Sequence, residues 1–307
     1  MARAVRFDHY GDRDVLYVAD VEVPVPSAGE VLVAVRAAAI NPGETSIRSG
    51  ALAERFPATF PSGEGSDLAG VVSALGDGVS EFAVGDEVLG WSWRRSSHAE
   101  YVTVPVSQLI PKPAAMSWDV AGSLYVVGCT AYAAVRAVAA ERGDTVAVSA
   151  AAGGVGSVVV QLLRIKGATV LAIASPSNHD WLTAHGAIQI RYGDGLADRL
   201  KAAAAPHGID AFIDLFGPDY VQLAVELGVA RDRIETIISR EKAQELGTKA
   251  EGSGDASTTE VLSEMAELVA SGRIEIPIAA VYPLENVRDA FAQLEQRHTH
   301  GKIVLVP

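Results

Sequence analysis

Cysteine is nearly absent from this chain: Cys129 stands alone. One thiol forms neither an internal disulfide nor a four-cysteine zinc site, and a small buried side chain is the ordinary role of a solitary cysteine. No apolar run approaches the roughly 20 residues of a membrane-spanning helix. Met1 to Arg6 shows no apolar core of a secretion signal, so a cytoplasmic location without membrane association is expected. Positive charge is scarce too: 25 Lys and Arg stand against 38 Asp and Glu, a net of −13, and no basic stripe appears. That excludes the phosphate-neutralising surface that nucleic acid requires. Charged residues make up 21% of the chain and hydrophobic ones 49%, which rules out global disorder and leaves ample material for buried cores. At 307 residues, two domains are expected.

What is present changes texture along the chain. Up to about Trp118, short β-type runs alternate with Gly and Pro: "VLVAVRAAAI", "AGVVSALG", "VGDEVLGW" and "HAEYVTVP". These predict a compact, barrel-like β domain. Beyond it, helical and strand patterns alternate. "AGSLYVVGCTAYAAVRAVA" has helical spacing, then come strand "TVAVSAA", a helix, strand "TVLAIAS", a helix around "NHDWLTAHGA", and strands "AIQIRY", "IDAFIDLFG" and "RIETIIS". Such alternation predicts right-handed crossovers and a doubly wound parallel sheet. "AEGSGDAST", Ala250 to Thr258, reads as a polar surface loop. "LENVRDAFAQLEQRH" reads as an amphipathic helix with Val287, Ala290, Phe291 and Leu294 on one face, followed by the closing strand "KIVLVP".

The stretch "AAGGVG" lies where the first strand of the α/β part hands over to a helix. With Ala151 in the first glycine position it fits G-x-G-x-x-G: Gly153 lets a pyrophosphate approach, Gly154 and Val155 follow, and Gly156 lets helix and strand pack closely. The helix N-terminus supplies unpaired N–H groups and the positive end of a dipole to an anion. A merely tight turn is the alternative. An NAD-selective site carries an acid roughly 20 residues after the glycines. Here the second strand ends in Ser175-Pro176-Ser177-Asn178, and Asp180 comes later. In a 3-2-1 strand order, Arg191 and Tyr192 at the end of the third strand lie beside Ser175, where Arg191 can pair with a 2′-phosphate. NADPH is the expected cofactor, and Gly217, closing "IDAFIDLFG", is counted with its contacts.

Five segments in order, "INPGETSIRSG", "GSDLAGVVSALGDGVSEFAVGDEVLG", "CTAYAAV", "AAGGVG" and "RHTHGKIVLVP", resemble the medium-chain dehydrogenase/reductases, specifically the zinc-free quinone oxidoreductase and zeta-crystallin branch. The resemblance covers nearly the whole chain. It implies an α/β fold in which a Rossmann nucleotide domain, residues 118–261, is inserted into a GroES-like β-barrel catalytic domain made of residues 1–117 and 262–307. It further implies an active site in the cleft between domains, a homodimer, and hydride transfer from NADPH to a small quinone or activated enone. In the zinc-dependent branch these segments supply a Cys and a His; here they read "NPGET" and "GEGSD", with only Glu64 and Asp67 as hard ligands, so no metal is expected.

The resemblance places Asn41 at the nicotinamide end, its amide donating to a substrate carbonyl, with an Asx-type turn fixed by Pro42 as the alternative. It places Glu44 and Arg48 near the cleft, although residues four apart also form a helix-stiffening charge pair. Thr130 matches a contact to the nicotinamide carboxamide, or caps a helix start. Arg297 matches a cofactor contact, or is a solvated helix-end charge. The branch's tyrosines are replaced by Ser46 and Leu52, which leaves Tyr125 and Tyr132 as protic groups. Trp91 and Trp93 offer flat faces to an acceptor ring, or simply pack a loop. Two other readings stay open: an enoyl-thioester reductase, and a non-catalytic NADPH-binding sensor or structural protein.

Overall fold

The computed structural model describes residues 1–307, and the chain divides into two units. The first comprises Met1–Val126, Thr258–Ser271 and Ile276–Pro307; the second comprises Val127–Ser257 and Gly272–Glu275. The division falls at 126/127 and 257/258 instead of 117/118 and 261/262. Gly122 accounts for the first shift. Its carbonyl accepts from Ala39 N at 2.8 Å, and a Cβ on it would stand 2.4 Å from the Ala37 carbonyl oxygen. A short helix, Trp118–Ala121, ends there, and the run from Ala121 to Ala139 expected as one helix is helical over Leu124–Ala137.

In the first unit a seven-stranded sheet runs in the order Ile278–Pro283, Lys302–Val306, Glu30–Ala39, Asp67–Leu75, Glu87–Trp91 and Leu109–Pro111, with Tyr101–Pro105 also paired to Glu30–Ala39. A three-stranded sheet joins Tyr17–Val21, Ala2–Phe7 and Ser62–Gly63. Val31, Val33 and Val35 alternate along one face and bury against Leu68, Val72, Val88 and Val104. The parallel pair Ile278–Pro283 and Lys302–Val306 is crossed by helix Val287–Glu295. That helix buries Val287, Ala290 and Phe291, with Leu294 packed beside them, as its spacing predicts.

The second unit holds five parallel strands in the order Ile188–Arg191, Thr169–Ala174, Thr145–Val148, Ala211–Asp214 and Ile234–Thr236. This is the doubly wound 3-2-1-4-5 arrangement. Its first strand passes by a turn into helix Gly154–Lys166. A Cβ on Gly156 would stand 2.2 Å from the Ala150 carbonyl oxygen and 2.8 Å from Ala151 Cα, so only glycine lets this helix lie against that turn.

A sixth strand position is occupied by a single residue. Lys249 N donates to the Ile234 carbonyl at 3.0 Å, and Thr236 N donates to the Lys249 carbonyl at 3.1 Å. The Ala250–Thr258 loop that follows lies over buried Glu235. One Glu235 oxygen accepts from Glu251 N at 2.6 Å, while Oε2 has no partner. Burial pushes this carboxyl up to about 8; the hydrogen bond from Glu251 N and the charge of Arg240 oppose the rise, and the charges of Glu251 and Asp255 add to it.

Two outcomes follow from these placements. A group with a raised folded-state pKa contributes stability that is fully present below its unfolded value and is lost as pH rises through the folded one. Wild-type stability therefore carries a Glu235 component that falls by about 1.4 kcal/mol per pH unit between the two values. Glu235→Gln removes it, so the variant gains on wild type as urea unfolding is repeated from pH 5 to pH 9; parallel curves would show that Glu235 stays ionised. Gly156→Ala forces helix and turn apart and lowers stability by about 1–3 kcal/mol. An unchanged urea midpoint would show that the helix shifts freely.

Candidate functional site

The glycine turn lies in the second unit. Ala150, not the Ala151 matched to the motif's first glycine, takes the left-handed conformation there, with φ at +46°. Gly153 N donates to the Ala150 carbonyl at 2.9 Å, closing the turn, and Gly153 caps the helix that Gly154 begins. A Cβ on Gly153 would meet only the Ala150 carbonyl oxygen, at 3.3 Å, so the space above it is open. Gly154, Val155 and Gly156 form the first helical turn, whose N–H groups have no intrahelical acceptors. An open cradle at a helix N-terminus suits a pyrophosphate, and these residues fit the cofactor the fold implies.

The neighbouring strand ends bring the other expected contacts together. Arg191 is in register with Ala174, which places it beside Ser175. Ser177 Oγ donates to Ser175 Oγ at 3.0 Å, a hydroxyl pair without negative charge, and Asp180 lies in the helix beyond, His179–Ala184. Tyr192 is 44% exposed. Gln189 and Arg199 were not legible as contributors. Gln189 Nε2 donates to the Ser175 carbonyl at 2.9 Å. Arg199 donates to the carbonyls of Arg191, Tyr192, Gly193 and Asp194.

Gly217 caps the next helix, Pro218–Glu226, and its N–H donates to Asp214 Oδ1 at 3.1 Å. Asp214 was also missed, although an acid ending the apolar run "AFID" was its signal. It accepts from Ser149 Oγ at 2.8 Å and Phe216 N at 2.9 Å, and through Oδ2 from Thr236 Oγ1 at 2.7 Å, tying three strand ends together. Thr130 is buried midway along helix Leu124–Ala137, so it is no helix-start cap. Cys129 beside it is buried.

In the first unit, strand Glu30–Ala39 runs through Ile40 into Asn41, the cap of helix Pro42–Arg48. Glu44 turns back to accept from Asn41 N at 2.8 Å, while Glu44 N donates to the Asn41 carbonyl at 3.1 Å. The Asn41 carboxamide is engaged as well. Nδ2 donates to Asp67 Oδ2 at 2.8 Å and, less closely, to Glu44 Oε1 at 3.3 Å; Oδ1 accepts from Lys302 Nζ at 2.6 Å. An ammonium only donates and a carboxylate only accepts, which fixes the amide's orientation. Asp67 Oδ1 takes Val126 N at 2.8 Å, and Glu44 Oε1 takes Ser66 N at 3.0 Å. Asn41, Glu44, Asp67 and Lys302 are each no more than 4% exposed. Burial pushes the Asp67 carboxyl up, and Lys302 and Asn41 pull it back.

Two expectations change here. Glu44 and Arg48 form no pair along their helix, because Glu44 closes the helix start and Arg48 reaches Glu64 instead. The buried Arg48 guanidinium also stacks over Phe291, 4.3 Å from the ring centre. Asn41, for its part, has no uncommitted amide hydrogen; the one 3.3 Å from Glu44 is the less firmly held. Lys302 went unnoticed, and its one signal is a lone charge opening the apolar run "KIVLVP".

The donor set does not suit a metal. Glu64 faces Arg48, Asp67 faces Asn41 and Lys302, and no three His, Cys, Asp or Glu side chains converge. Of the aromatics, Trp91 is buried and stacked on Tyr125, with ring centres 4.8 Å apart and planes 10° from parallel. It packs the loop. Trp93 is edge-on to both and remains 51% exposed. Arg297 is exposed just past helix Val287–Glu295, with φ at +58°.

A family model described as zinc-binding dehydrogenase matches residues 120–305, and one described as alcohol dehydrogenase GroES-like domain matches residues 27–114. The quinone oxidoreductase of Mus musculus is 30% identical, over 98% of this chain and 95% of its own. A solved quinone oxidoreductase from Coxiella burnetii superposes with a TM-score of 0.89 at 30% identity, covering 100% of this chain and 99% of the other. The solved CurK enoyl reductase superposes with a TM-score of 0.87 at 25% identity, covering 99% of each. Barrel, doubly wound sheet, glycine turn and full-length matches agree: the chain belongs to the medium-chain dehydrogenase/reductases, in their zinc-free quinone oxidoreductase branch, and is an NAD(P)-dependent oxidoreductase.

Proposed function

We propose that this chain is an NADPH-dependent reductase that delivers hydride to a quinone or an activated enone without a metal. The observation that carries the reading is the filled donor set around Asn41 and Asp67, where an ammonium already stands among the oxygens. Alcohol oxidation needs a hydroxyl proton drawn away, which a metal makes easy. An electron-poor acceptor needs only positioning and hydrogen bonds to the oxyanion that develops. A dihydronicotinamide supplies the hydride when bound.

Each residue then has a role. Gly153 leaves room for the pyrophosphate, and Gly154, Val155 and Gly156 turn N–H groups toward it. Ser175 and Arg191 take the 2′-phosphate, Tyr192 and Gly217 border the same strand ends, and Thr130 and Arg297 make further cofactor contacts. Asn41 offers its loosely held hydrogen to the developing oxyanion; a neutral carbonyl competes poorly with Glu44 for it, an oxyanion well. Glu44 and Arg48 hold that segment in place and do not react. Trp93 gives an aromatic face to the acceptor. The reading includes a homodimer working in the cytoplasm; no helix of the chain is long and apolar enough to cross a membrane. The likeness to an enoyl reductase supports a second reading, enoyl-thioester reduction by the same hydride chemistry.

NADPH oxidation is expected with quinones or enones. Turnover of enoyl thioesters alone moves the assignment to the second reading, and no turnover with any acceptor leaves a sensor or structural protein. Gly153→Val fills the open space above the turn, so NADPH binding by fluorescence titration is lost while the unfolding midpoint holds; intact binding shows the motif to be only a turn. Arg191→Ala raises the KM for NADPH about ten- to a hundredfold, the size of a lost charge-assisted hydrogen bond, and leaves that for NADH nearly alone. Ser175→Asp shifts preference toward NADH. A wild type that prefers NADH, or equal effects of Arg191→Ala on both cofactors, refutes the 2′-phosphate site.

A further inference from the structure

Lys302 opens the strand Lys302–Val306, and its side chain is buried. Burying an ammonium costs several kcal/mol unless its hydrogens are met. They have three destinations: the Ile40 carbonyl at 3.0 Å, Asn41 Oδ1 at 2.6 Å and, more distantly, Asp67 Oδ2 at 3.6 Å. We propose that Lys302 is a positioning residue acting through Asn41: its ammonium holds Asp67 as an accepting carboxylate, locks the Asn41 carboxamide with its hydrogens turned from the lysine, and strengthens those hydrogens as donors.

The argument is one of hydrogen-bond chemistry. A charge-assisted bond to Oδ1 draws electron density from the amide nitrogen, and so sharpens its N–H groups as donors. Reversing the amide would set NH₂ against the ammonium and oxygen against two carboxylates. Without the lysine, Asp67 keeps only neutral donors, Asn41 and Val126 N, and burial favours its protonated form. A protonated Asp67 donates as well as accepts, and the amide loses its fixed sense. This inference rests on the reductase reading for what Asn41 does, but not for how Asn41 is held.

The test separates the two. Lys302→Met alone leaves buried carboxylates without their cation and is expected to destabilise the chain strongly. Adding Asp67→Asn removes the second charge and recovers most of the lost stability. In that stable double variant, kcat with a quinone is expected to fall roughly tenfold below the Asp67→Asn single variant, while the KM for NADPH is unchanged. By NMR, the Asn41 side-chain amide hydrogens exchange slowly in the wild type and fast in the double variant. A stable double variant with the kcat of Asp67→Asn and slow Asn41 exchange overturns the proposal and leaves Lys302 a structural charge. A wild type that reduces no acceptor overturns the reductase reading alone, and the exchange rates then decide the lysine's role.

Discussion

One buried ammonium is where distant parts of the first unit meet. Lys302 comes from the last strand, Asn41 from the end of a central one, and Asp67 from the strand beside that; through Asp67 the set reaches Val126 N at the head of the long helix. None of these groups is affordable in a low-dielectric interior by itself. Together they are satisfied, and a satisfied polar network tolerates only one geometry. These residues are therefore placed by the fold's own electrostatics: moving the Asp67 segment breaks a contact to each of the other three.

The second unit solves the corresponding problem with an anion. Asp214 gathers two hydroxyls and two backbone N–H groups from the ends of three strands. Those ends are the edge at which nucleotides bind in sheets of this kind. Both centres share a design: one buried polar side chain gathers hydrogen-bond partners from several strand ends and so fixes the backbone that carries them.

Periodicity and spacing reached as far as local chemistry reaches. The 3-2-1 strand order, the register that brings Arg191 beside Ser175, the apolar face of helix Val287–Glu295 and the tight seat of Gly156 were legible, because alternation, strand ends and missing side chains are local signals. The partner of Arg48 was not. Helix arithmetic selects Glu44, four residues away, but the structure selects Glu64, because Glu44 is needed at the helix start. The helix end at Gly122 was hidden for a like reason: nothing in its own segment shows that the Ala37 carbonyl lies where a Cβ would go. Lys302 could be seen as odd, yet its meaning lies in residues more than two hundred positions earlier.

The five hydrogen bonds of Arg199 have a consequence for its neighbour. A guanidinium usually recognises anions; this one is wholly turned toward carbonyl oxygens of the segment that carries Arg191. That backbone is ordered before any ligand arrives. Binding there need restrict only the rotamers of the Arg191 side chain, a loss of about 0.5–1.5 kcal/mol rather than the larger loss of ordering a loop. In the proposed reading, selectivity for an anion at this strand end thus depends on two arginines of unequal visibility, Arg191 to touch the ligand and Arg199 to lower the entropy lost in that touch.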